Sequence, residues 1–214
     1  MDLPRELDGD LTWVERRSPP RRAPALFLDR DGVLVEEVIH LHEVEKTRLH
    51  EGAAEVVRTA NRCGLHVVIV TNQSGIGRGL FGWEAFRQVQ QRIHEDLGRA
   101  GARLDAVLAC PHHHQAALPA YRHPDHADRK PNPGMLLKAA TLLEIDLAAS
   151  WIIGDRADDL VAARRAGLVG GLHVLTGFGP QERAAALSVA APDFAVVAAA
   201  AVDEALRLLP DLHV

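Results

Sequence analysis

The sequence predicts an α/β fold with a doubly wound, mainly parallel sheet and helices on both faces. Short apolar runs alternate with longer segments of helical periodicity along most of the 214 residues, and this order is typical of βαβ units. Three of the apolar runs end in polar or charged residues, as strands do at the ligand-binding edge of such a sheet. The two long connections, 35–48 and 111–129, are too short to form a separate domain, so we expect no large cap domain.

The predicted elements follow one another as strand and helix repeats. Strands are predicted at 25–28, 67–71, 106–110, 151–153, 172–175 and 194–196, and helices at about 52–63, 83–99, 134–143, 158–166 and 180–186, with a last helix ending near 209. Residues 1–24 show no period that would bury a face, so we predict a tail or strap there, with its basic cluster in solvent. Residues 25–214 are predicted to form one domain.

Composition excludes several classes of protein. The formal net charge is −5 with both signs interspersed, which argues against a nucleic-acid groove or a basic membrane-binding patch. No apolar run approaches the ~20 residues of a membrane span, and no cleavable signal pattern opens the chain. Two cysteines are too few for a disulfide framework. We therefore predict a cytoplasmic protein without nucleic-acid or membrane partners.

The motif Asp29-Arg30-Asp31-Gly32 directly follows the apolar run 25–28. Glycine lets the backbone turn, so that both carboxylates can converge at the sheet edge. One carboxylate can then attack an electrophile while the other moves protons. By itself this motif is common in surface and calcium loops, so a carboxylate that merely caps the turn is the alternative reading.

The groups that would complete such a site follow the next strands. Thr71, Asn72 and Gln73 end the second apolar run, Asp155 ends the run 151–153, and Lys130 lies between them in the sequence. A hydroxyl, an amide, a cation and carboxylates together suit a phosphate bound beside a divalent metal ion.

Four segments in this order resemble the haloacid dehalogenase superfamily of phosphotransferases: 28–32, 70–79, 110–113 and 129–135. The resemblance covers about 25–209. Within the superfamily, these segments resemble most the heptose-bisphosphate phosphatase family, whose motifs are largely shared by the histidinol-phosphate phosphatases. It implies the superfamily's Rossmann-like fold and a Mg²⁺-dependent phosphatase. Asp29 would be the nucleophile that forms an aspartyl-phosphate, and Asp31 the general acid and then base.

The resemblance also assigns binding roles. Mg²⁺ would be bound by Asp29, the backbone carbonyl of Asp31 and Asp155, with Asp159 as a further candidate, although Asp159 can also be a helix-start charge. The ligands of the transferred phosphoryl group would be Thr71, Asn72, Gln73 and Lys130, and Arg129 would bind the phosphate that is not cleaved.

The implied substrate is a small phosphorylated sugar, D-glycero-D-manno-heptose 1,7-bisphosphate, losing its C7 phosphate. Histidinol phosphate or another small sugar phosphate is the alternative of the same class. A phospholigand-binding module without turnover and a nucleic-acid 3′-phosphatase are alternatives of other classes, and the acidic balance disfavours the latter. By resemblance we expect a monomer.

The connection at 110–128 is a candidate zinc loop. Cys110, His112, His126 and Asp128 form two ligand pairs, each with one residue between its members, and this spacing suits a closed structural Zn²⁺ site. The family resemblance places Cys at both of the last two positions, where His126 and Asp128 stand here. A metal-free loop of exposed histidines is the alternative.

Overall fold

A computed structural model describes residues 4–212, so the first three residues of the predicted strap and the last two of the predicted domain lie outside it. The strands are β1 Trp13–Arg16, β2 Ala25–Leu28, β3 His66–Asn72, β4 Ala106–Cys110, β5 Trp151–Gly154, β6 Gly170–His173 and β7 Ala195–Ala198. The α-helices are α1 Ala53–Arg62, α2 Ser74–Gly77, α3 Trp83–Arg99, α4 Gly134–Leu143, α5 Ala157–Ala166, α6 Gly179–Leu187 and α7 Ala205–Leu208. The described strands form a single sheet.

The strand order is β1-β4-β3-β2-β5-β6-β7. All neighbours pair in parallel except β1, which is antiparallel to β4. The predicted doubly wound, mainly parallel α/β fold is therefore confirmed. No helix within residues 4–212 is long and apolar enough to cross a membrane.

The register of the three central strands creates the site. Leu28, the last residue of β2, pairs with Ile69 of β3 on one side and Ile153 of β5 on the other. Because the three strands run parallel, their carboxyl ends meet at one edge of the sheet. The polar residues that follow each strand are brought together there.

The helices cover both faces of this sheet and form two cores. Leu26 and Leu28 point into a core shared with α1 and α3, whereas Phe27 points into a core shared with α4, α5 and α6. This alternation follows from the two-residue period of a strand. Because β2 is buried on both faces, the backbone that carries Asp29 has little freedom to shift.

The segment 4–16, called here the strap, packs on the domain, although its sequence shows no period that would bury a face. Trp13 in β1 is only 1% exposed, and it stacks on Trp83 with ring centroids 5.4 Å apart. A four-residue strand is too short to show a period in the sequence, so this contact could not be predicted. The basic cluster 17–22, in contrast, is largely exposed, as predicted.

Strand β6 lies two residues before its predicted position. Its first residues, Gly170 and Gly171, have low strand propensity, so the sequence pattern did not indicate that a strand begins there. A Cβ at Gly170 would lie 2.4 Å from the ring of Trp151 and 2.7 Å from the carbonyl oxygen of Ala195. The glycine is therefore required by close packing. The last predicted helix is also broken, into a 3₁₀ turn at Val202–Glu204 and α7.

Candidate active site

Three buried carboxylates converge at the edge where β2 and β5 end. Asp29 follows β2, Asp155 follows β5, and Asp159 lies in the first turn of α5. One oxygen from each lies within 4.8 Å of the other two. Like charges this close are costly in a buried site unless a cation compensates them.

Lys130 supplies one compensating charge. Its Nζ donates hydrogen bonds to Asp29 Oδ1 and to the carbonyl oxygen of Val70, both at 2.7 Å, and it lies 2.5 Å from Asp159 Oδ1. Although burial disfavours the ammonium, the neighbouring Asp159 and Asp29 raise the pKa of Lys130 above its ordinary value. One positive charge therefore serves two carboxylates, and Asp155 makes no ion pair with a lysine or arginine within residues 4–212.

Asn72 fastens the backbone of Lys130 to the end of β3. Its Nδ2 donates to the carbonyl oxygen of Lys130 at 3.0 Å, and its Oδ1 accepts the amide N–H of Lys130 at 3.1 Å. The side chain of Asn72 is thus engaged with Lys130 and positions it. The second N–H of Nδ2 and the backbone N–H of Asn72 are left for contact with a phosphoryl group.

The surroundings of Asp155 fit a divalent cation. Its Oδ2 accepts the N–H of Phe178 at 2.7 Å, whereas its Oδ1 is buried without a hydrogen-bond partner. Burial, together with nearby Asp29 and Asp159, raises the pKa of Asp155 to about 8, and burial raises that of Asp29 to about 6. An unpartnered buried carboxylate oxygen beside further carboxylates is the environment that Mg²⁺ prefers.

Two glycines allow the backbone to approach Asp155. Gly32 has φ +81° and Gly177 has φ +57°, and a Cβ at Gly177 would lie 2.2 Å from Asp155 Oδ2. Gly32 belongs to the motif singled out in the sequence. Gly177 lies in a loop after β6 with no sequence signal, so its role becomes visible only in the fold.

Both oxygens of Asp159 already have protein partners. Besides the ion pair with Lys130, its Oδ2 accepts the backbone N–H of Arg156 at 3.1 Å as part of a helix capping box. This arrangement favours a role in holding Lys130 over direct coordination of a metal ion. Asp159 thus stands at the helix start, as the alternative reading predicted, and its role as a Mg²⁺ ligand stays a prediction.

Asp31 lies at the mouth of the site in a network that the sequence only partly predicted. Arg30 donates from Nε to Asp31 Oδ1 at 3.0 Å and from Nη2 to Oδ2 at 2.9 Å. Gln73 Nε2 donates to Asp31 Oδ2 at 2.8 Å and to Thr71 Oγ1 at 2.9 Å. Arg30 is fully buried, which sequence reasoning missed because an arginine between two aspartates usually faces solvent.

These groups open into a cleft of about 340 Å³. Residues of both long connections line it, among them Ile39 and His40 from 35–48 and His113 from 111–129. The three guanidinium groups that line it belong to Arg78, Arg129 and Arg156. Burial, with the nearby charges of Arg78 and Arg156, lowers the pKa of Arg129, so the guanidinium is held where an anion would relieve the repulsion.

Glu37 is a further lining residue that the sequence analysis did not single out. Burial, with the nearby Asp31 and Asp29, raises its pKa to about 7. It lies in the connection 35–48, and connections of this length are usually functional. A carboxyl group that is neutral for part of its time can donate a hydrogen bond to a substrate oxygen.

The structure does not bring the four predicted zinc ligands together, since no group of three or more metal ligands within residues 4–212 includes Cys110, His112 or His126. The His112 and His126 rings stack with centroids 3.6 Å apart and an interplanar angle of 7°, so their nitrogens do not converge on one point. Asp128 instead accepts from Thr12 Oγ1 at 2.7 Å and pairs with Lys138. Burial raises the pKa of the Cys110 thiol to about 12.

Comparison with known proteins places the chain among phosphatases. The family model described as HAD-hydrolase-like matches residues 127–201. D-glycero-beta-D-manno-heptose-1,7-bisphosphate 7-phosphatase of Mesorhizobium japonicum is 44% identical over 171 residues, which is 78% of each chain. The enzyme of the same name from Escherichia coli K12 is 37% identical over 157 residues, covering 73% of this chain and 82% of that one.

Solved structures agree with this placement. A HAD-like phosphatase from Mesorhizobium loti superposes with TM-score 0.85 and 39% identity, covering 98% of this chain and 96% of that one. D,D-heptose 1,7-bisphosphate phosphatase from B. bronchiseptica, complexed with magnesium and phosphate, gives TM-score 0.75 at 27% identity over 87% and 97% of the two chains. The chain therefore belongs to the D-glycero-β-D-manno-heptose-1,7-bisphosphate 7-phosphatase family of haloacid dehalogenase-like phosphatases and is a phosphoric monoester hydrolase.

Proposed function

We propose that this enzyme removes the C7 phosphate of D-glycero-D-manno-heptose 1,7-bisphosphate through an aspartyl-phosphate on Asp29. The observation that carries the proposal is the convergence of Asp29, Lys130 and the unpartnered oxygen of Asp155 at one sheet edge. The substrate class is supported by the names of relatives that are 36–44% identical.

Asp29 is the proposed nucleophile because its carboxylate is buried, fixed by Lys130 and open to the cleft. Attack on phosphorus splits one slow displacement into two faster steps. Lys130 orients the carboxylate and neutralises charge that develops on the phosphoryl oxygens. Mg²⁺ would be held by Asp29, the backbone carbonyl of Asp31 and Asp155, and when bound it neutralises further charge on the phosphate.

Asp31 is the proposed general acid and base. Arg30 and Gln73 fix its carboxylate beside Asp29 at the mouth of the cleft. It protonates the leaving sugar oxygen in the first step and takes a proton from the attacking water in the second. Thr71 and Gln73 lie next to it and bind the phosphoryl oxygens, together with the backbone of Asn72.

Arg129 is the proposed ligand of the phosphate at C1, which is not cleaved. Among the described residues, its guanidinium makes one hydrogen bond, from Nη1 to the carbonyl oxygen of His112 at 3.0 Å. The other N–H groups of the guanidinium are left for a bidentate contact with a phosphate. The positive wall formed with Arg78 and Arg156 favours a doubly charged sugar bisphosphate. It disfavours histidinol phosphate, whose amino group and imidazole add positive charge.

The proposed site is complete within one chain, so we also propose that the enzyme works as a monomer, with residues 25–214 as its one catalytic domain. We assign zinc no part in this function, because His112 stacks on His126 and because Asp128 contacts Thr12 and Lys138. Sedimentation at the concentration of the activity assay tests the monomer directly.

A phosphate-release screen with Mg²⁺ tests the substrate. The panel contains both anomers of the heptose bisphosphate, histidinol phosphate and common sugar monophosphates, and Asp29→Asn serves as the inactive control. We expect the highest kcat/KM for the bisphosphate and, by ³¹P NMR, loss of the C7 phosphate with the C1 phosphate retained. A higher kcat/KM for histidinol phosphate, or release of the C1 phosphate, would overturn the proposal.

A further inference from the structure

The connection 111–129 carries Arg129 into the cleft, so whatever fixes this connection also positions Arg129. Asp128, the residue before Arg129, is 1% exposed. Its Oδ2 accepts a hydrogen bond from Thr12 Oγ1 at 2.7 Å and contacts Lys138 Nζ. Thr12 belongs to the strap and Lys138 to α4, so three segments distant in sequence meet at this carboxylate.

Lys138 is the centre of this meeting point. Its ammonium lies 2.6 Å from Asp8 Oδ2 and 2.9 Å from Asp10 Oδ2, in addition to its contact with Asp128. The lysine side chain is 28% exposed, whereas that of Asp128 is 2% exposed. Removing the ammonium would leave a buried carboxylate without its cation, which is a far costlier loss than that of a surface ion pair.

A second set of contacts joins the same partners. His112 Nε2 lies 2.8 Å from the carbonyl oxygen of Asp10, and the ring of His112 stacks on that of His126. Strand β1 pairs with β4, with Trp13 opposite Ala109, just before the connection begins. The strap is therefore bound along both ends of the connection.

His112, His126 and Asp128 are three of the four positions at which a zinc ion was expected to close the loop. We propose that this chain fixes the connection 111–129, and through it Arg129, with a lysine-centred ion cluster supplied by the strap in place of a structural metal. The cluster consists of Lys138 with Asp8, Asp10, Asp128 and Thr12. The inference rests on the proposed function only in taking Arg129 as the ligand of the phosphate that is not cleaved.

The coupling from the cluster to Arg129 is short. Arg129 follows Asp128 directly, its backbone N–H donates to the carbonyl oxygen of His126 at 3.0 Å, and its guanidinium donates to that of His112. A Cβ at Gly134 would lie 2.4 Å from Asp128 Oδ1, so α4 packs closely on the same side chain. A shift of Asp128 is therefore passed to Arg129 within one residue.

Lys130 is protected from such a shift, because Asn72 and Asp29 hold it independently. Loss of the cluster should therefore weaken binding of the second phosphate while leaving the chemical step nearly intact. This split between KM and kcat separates a positioning role from a merely structural one. Lys138 and the strap residues are positioning residues in this sense, since they do not touch the substrate.

The experiment compares Lys138→Met with Lys46→Met, a matched control whose ion pair with Glu43 lies on the surface. Kinetics are measured with the heptose bisphosphate and with p-nitrophenyl phosphate, which lacks a second phosphate. For Lys138→Met we expect KM for the bisphosphate to rise by about tenfold, a loss of about 1.4 kcal/mol, with kcat and the p-nitrophenyl phosphate constants little changed. Lys138→Arg should recover part of the KM, and Lys46→Met should match the unmodified enzyme.

Elemental analysis of the full chain, purified without added metal, should find no stoichiometric zinc. Hydrogen exchange should show amides of 111–128 losing protection in Lys138→Met and keeping it when a chelator is added to the unmodified protein. Thr12→Val, which removes one hydrogen bond at nearly constant volume, provides the same readouts if Lys138→Met does not fold.

Stoichiometric zinc that is lost in Cys110→Ser would overturn the inference, as would unchanged KM and unchanged exchange in Lys138→Met or in its substitute Thr12→Val. If the unmodified enzyme does not hydrolyse the bisphosphate, the proposed substrate fails, whereas zinc content and hydrogen exchange still decide how the connection is fixed.

Discussion

Replacing Lys130 with methionine removes the only ammonium that contacts Asp29 and Asp159 within the described residues while keeping the aliphatic stem. The Nζ of Lys130 is 2.7 Å from Asp29 Oδ1 and from the carbonyl oxygen of Val70, and its side chain is 3% exposed. Removing one partner of a buried ion pair costs about 3–5 kcal/mol. For a chain of this length that loss corresponds to a fall in Tm of roughly 6–20 °C.

The loss of stability in Lys130→Met should depend on pH and on the presence of Mg²⁺. Since burial raises the pKa of Asp29 to about 6, and since Lys130 opposes that rise, Asp29 in Lys130→Met should hold its proton to higher pH than in the unmodified enzyme. The loss of stability should therefore be smaller at pH 5 than at pH 8, and Mg²⁺ should recover part of it at pH 8 by supplying positive charge.

The assay is urea denaturation of both proteins at pH 5 and pH 8, with EDTA or with Mg²⁺, alongside phosphate release. Lys46→Met is the control, because its ion pair is solvent-exposed. A loss below about 1 kcal/mol at pH 8, the value typical of surface pairs, would refute the reasoning that Lys130 compensates buried carboxylates.

Three further predictions follow from the site. Asp31→Asn should strongly slow hydrolysis of sugar phosphates. With p-nitrophenyl phosphate, whose leaving group needs no proton, the first step should still occur and appear as a burst of nitrophenol. An equal fall in the rate of the first step for a sugar phosphate and for the nitrophenyl ester would count against Asp31 as the acid. Arg129→Ala should lower kcat/KM for the bisphosphate, with a loss of transition-state stabilisation of about 2–4 kcal/mol, and should change kcat/KM for monophosphates little. An equal fall in kcat/KM for both substrates would place Arg129 at the reacting phosphoryl group. In EDTA, the raised pKa of Asp155, about 8 against an ordinary 3.8, means that the native state binds more protons than the unfolded state. The unfolding free energy should therefore fall as pH rises from about 4 to 8, and it should fall less when Mg²⁺ is present. Urea midpoints that stay constant over this pH range in EDTA would contradict the inference that Asp155 is a buried carboxylate without a compensating cation.

Asp29 and Asp155 were predictable site residues because each follows a buried strand. The run 25–28 is continuous apolar sequence, its end is marked by Gly32, and parallel strands bring their ends to one edge. Asp29, Lys130 and Asp155 therefore meet as the motif order indicated. Helices α3 and α4 also begin and end at the predicted residues, because their periodicity is long enough to be read.

The parts that escaped prediction depend on contacts between segments distant in sequence. Nothing local shows that Arg30 is buried over the ring of Phe86, or that Gly177 lies against Asp155. The zinc prediction relied on ligand spacing, which is a local property, whereas the contacts of Asp128 with Lys138 and with Thr12 of the strap join segments distant in sequence. Ligand spacing identifies side chains that could bind one ion, but the tertiary contacts determine which partners those side chains actually have.

The central claim is that catalysis proceeds through a phosphate ester of Asp29. Asp31→Asn, incubated with Mg²⁺ and p-nitrophenyl phosphate so that the second step is slow, is quenched and treated with borohydride, which reduces an acyl phosphate to an alcohol. Peptide mass spectrometry should locate the reduced side chain at Asp29. Reduction at another carboxylate, or a full burst of nitrophenol with no reduced residue, would contradict the account.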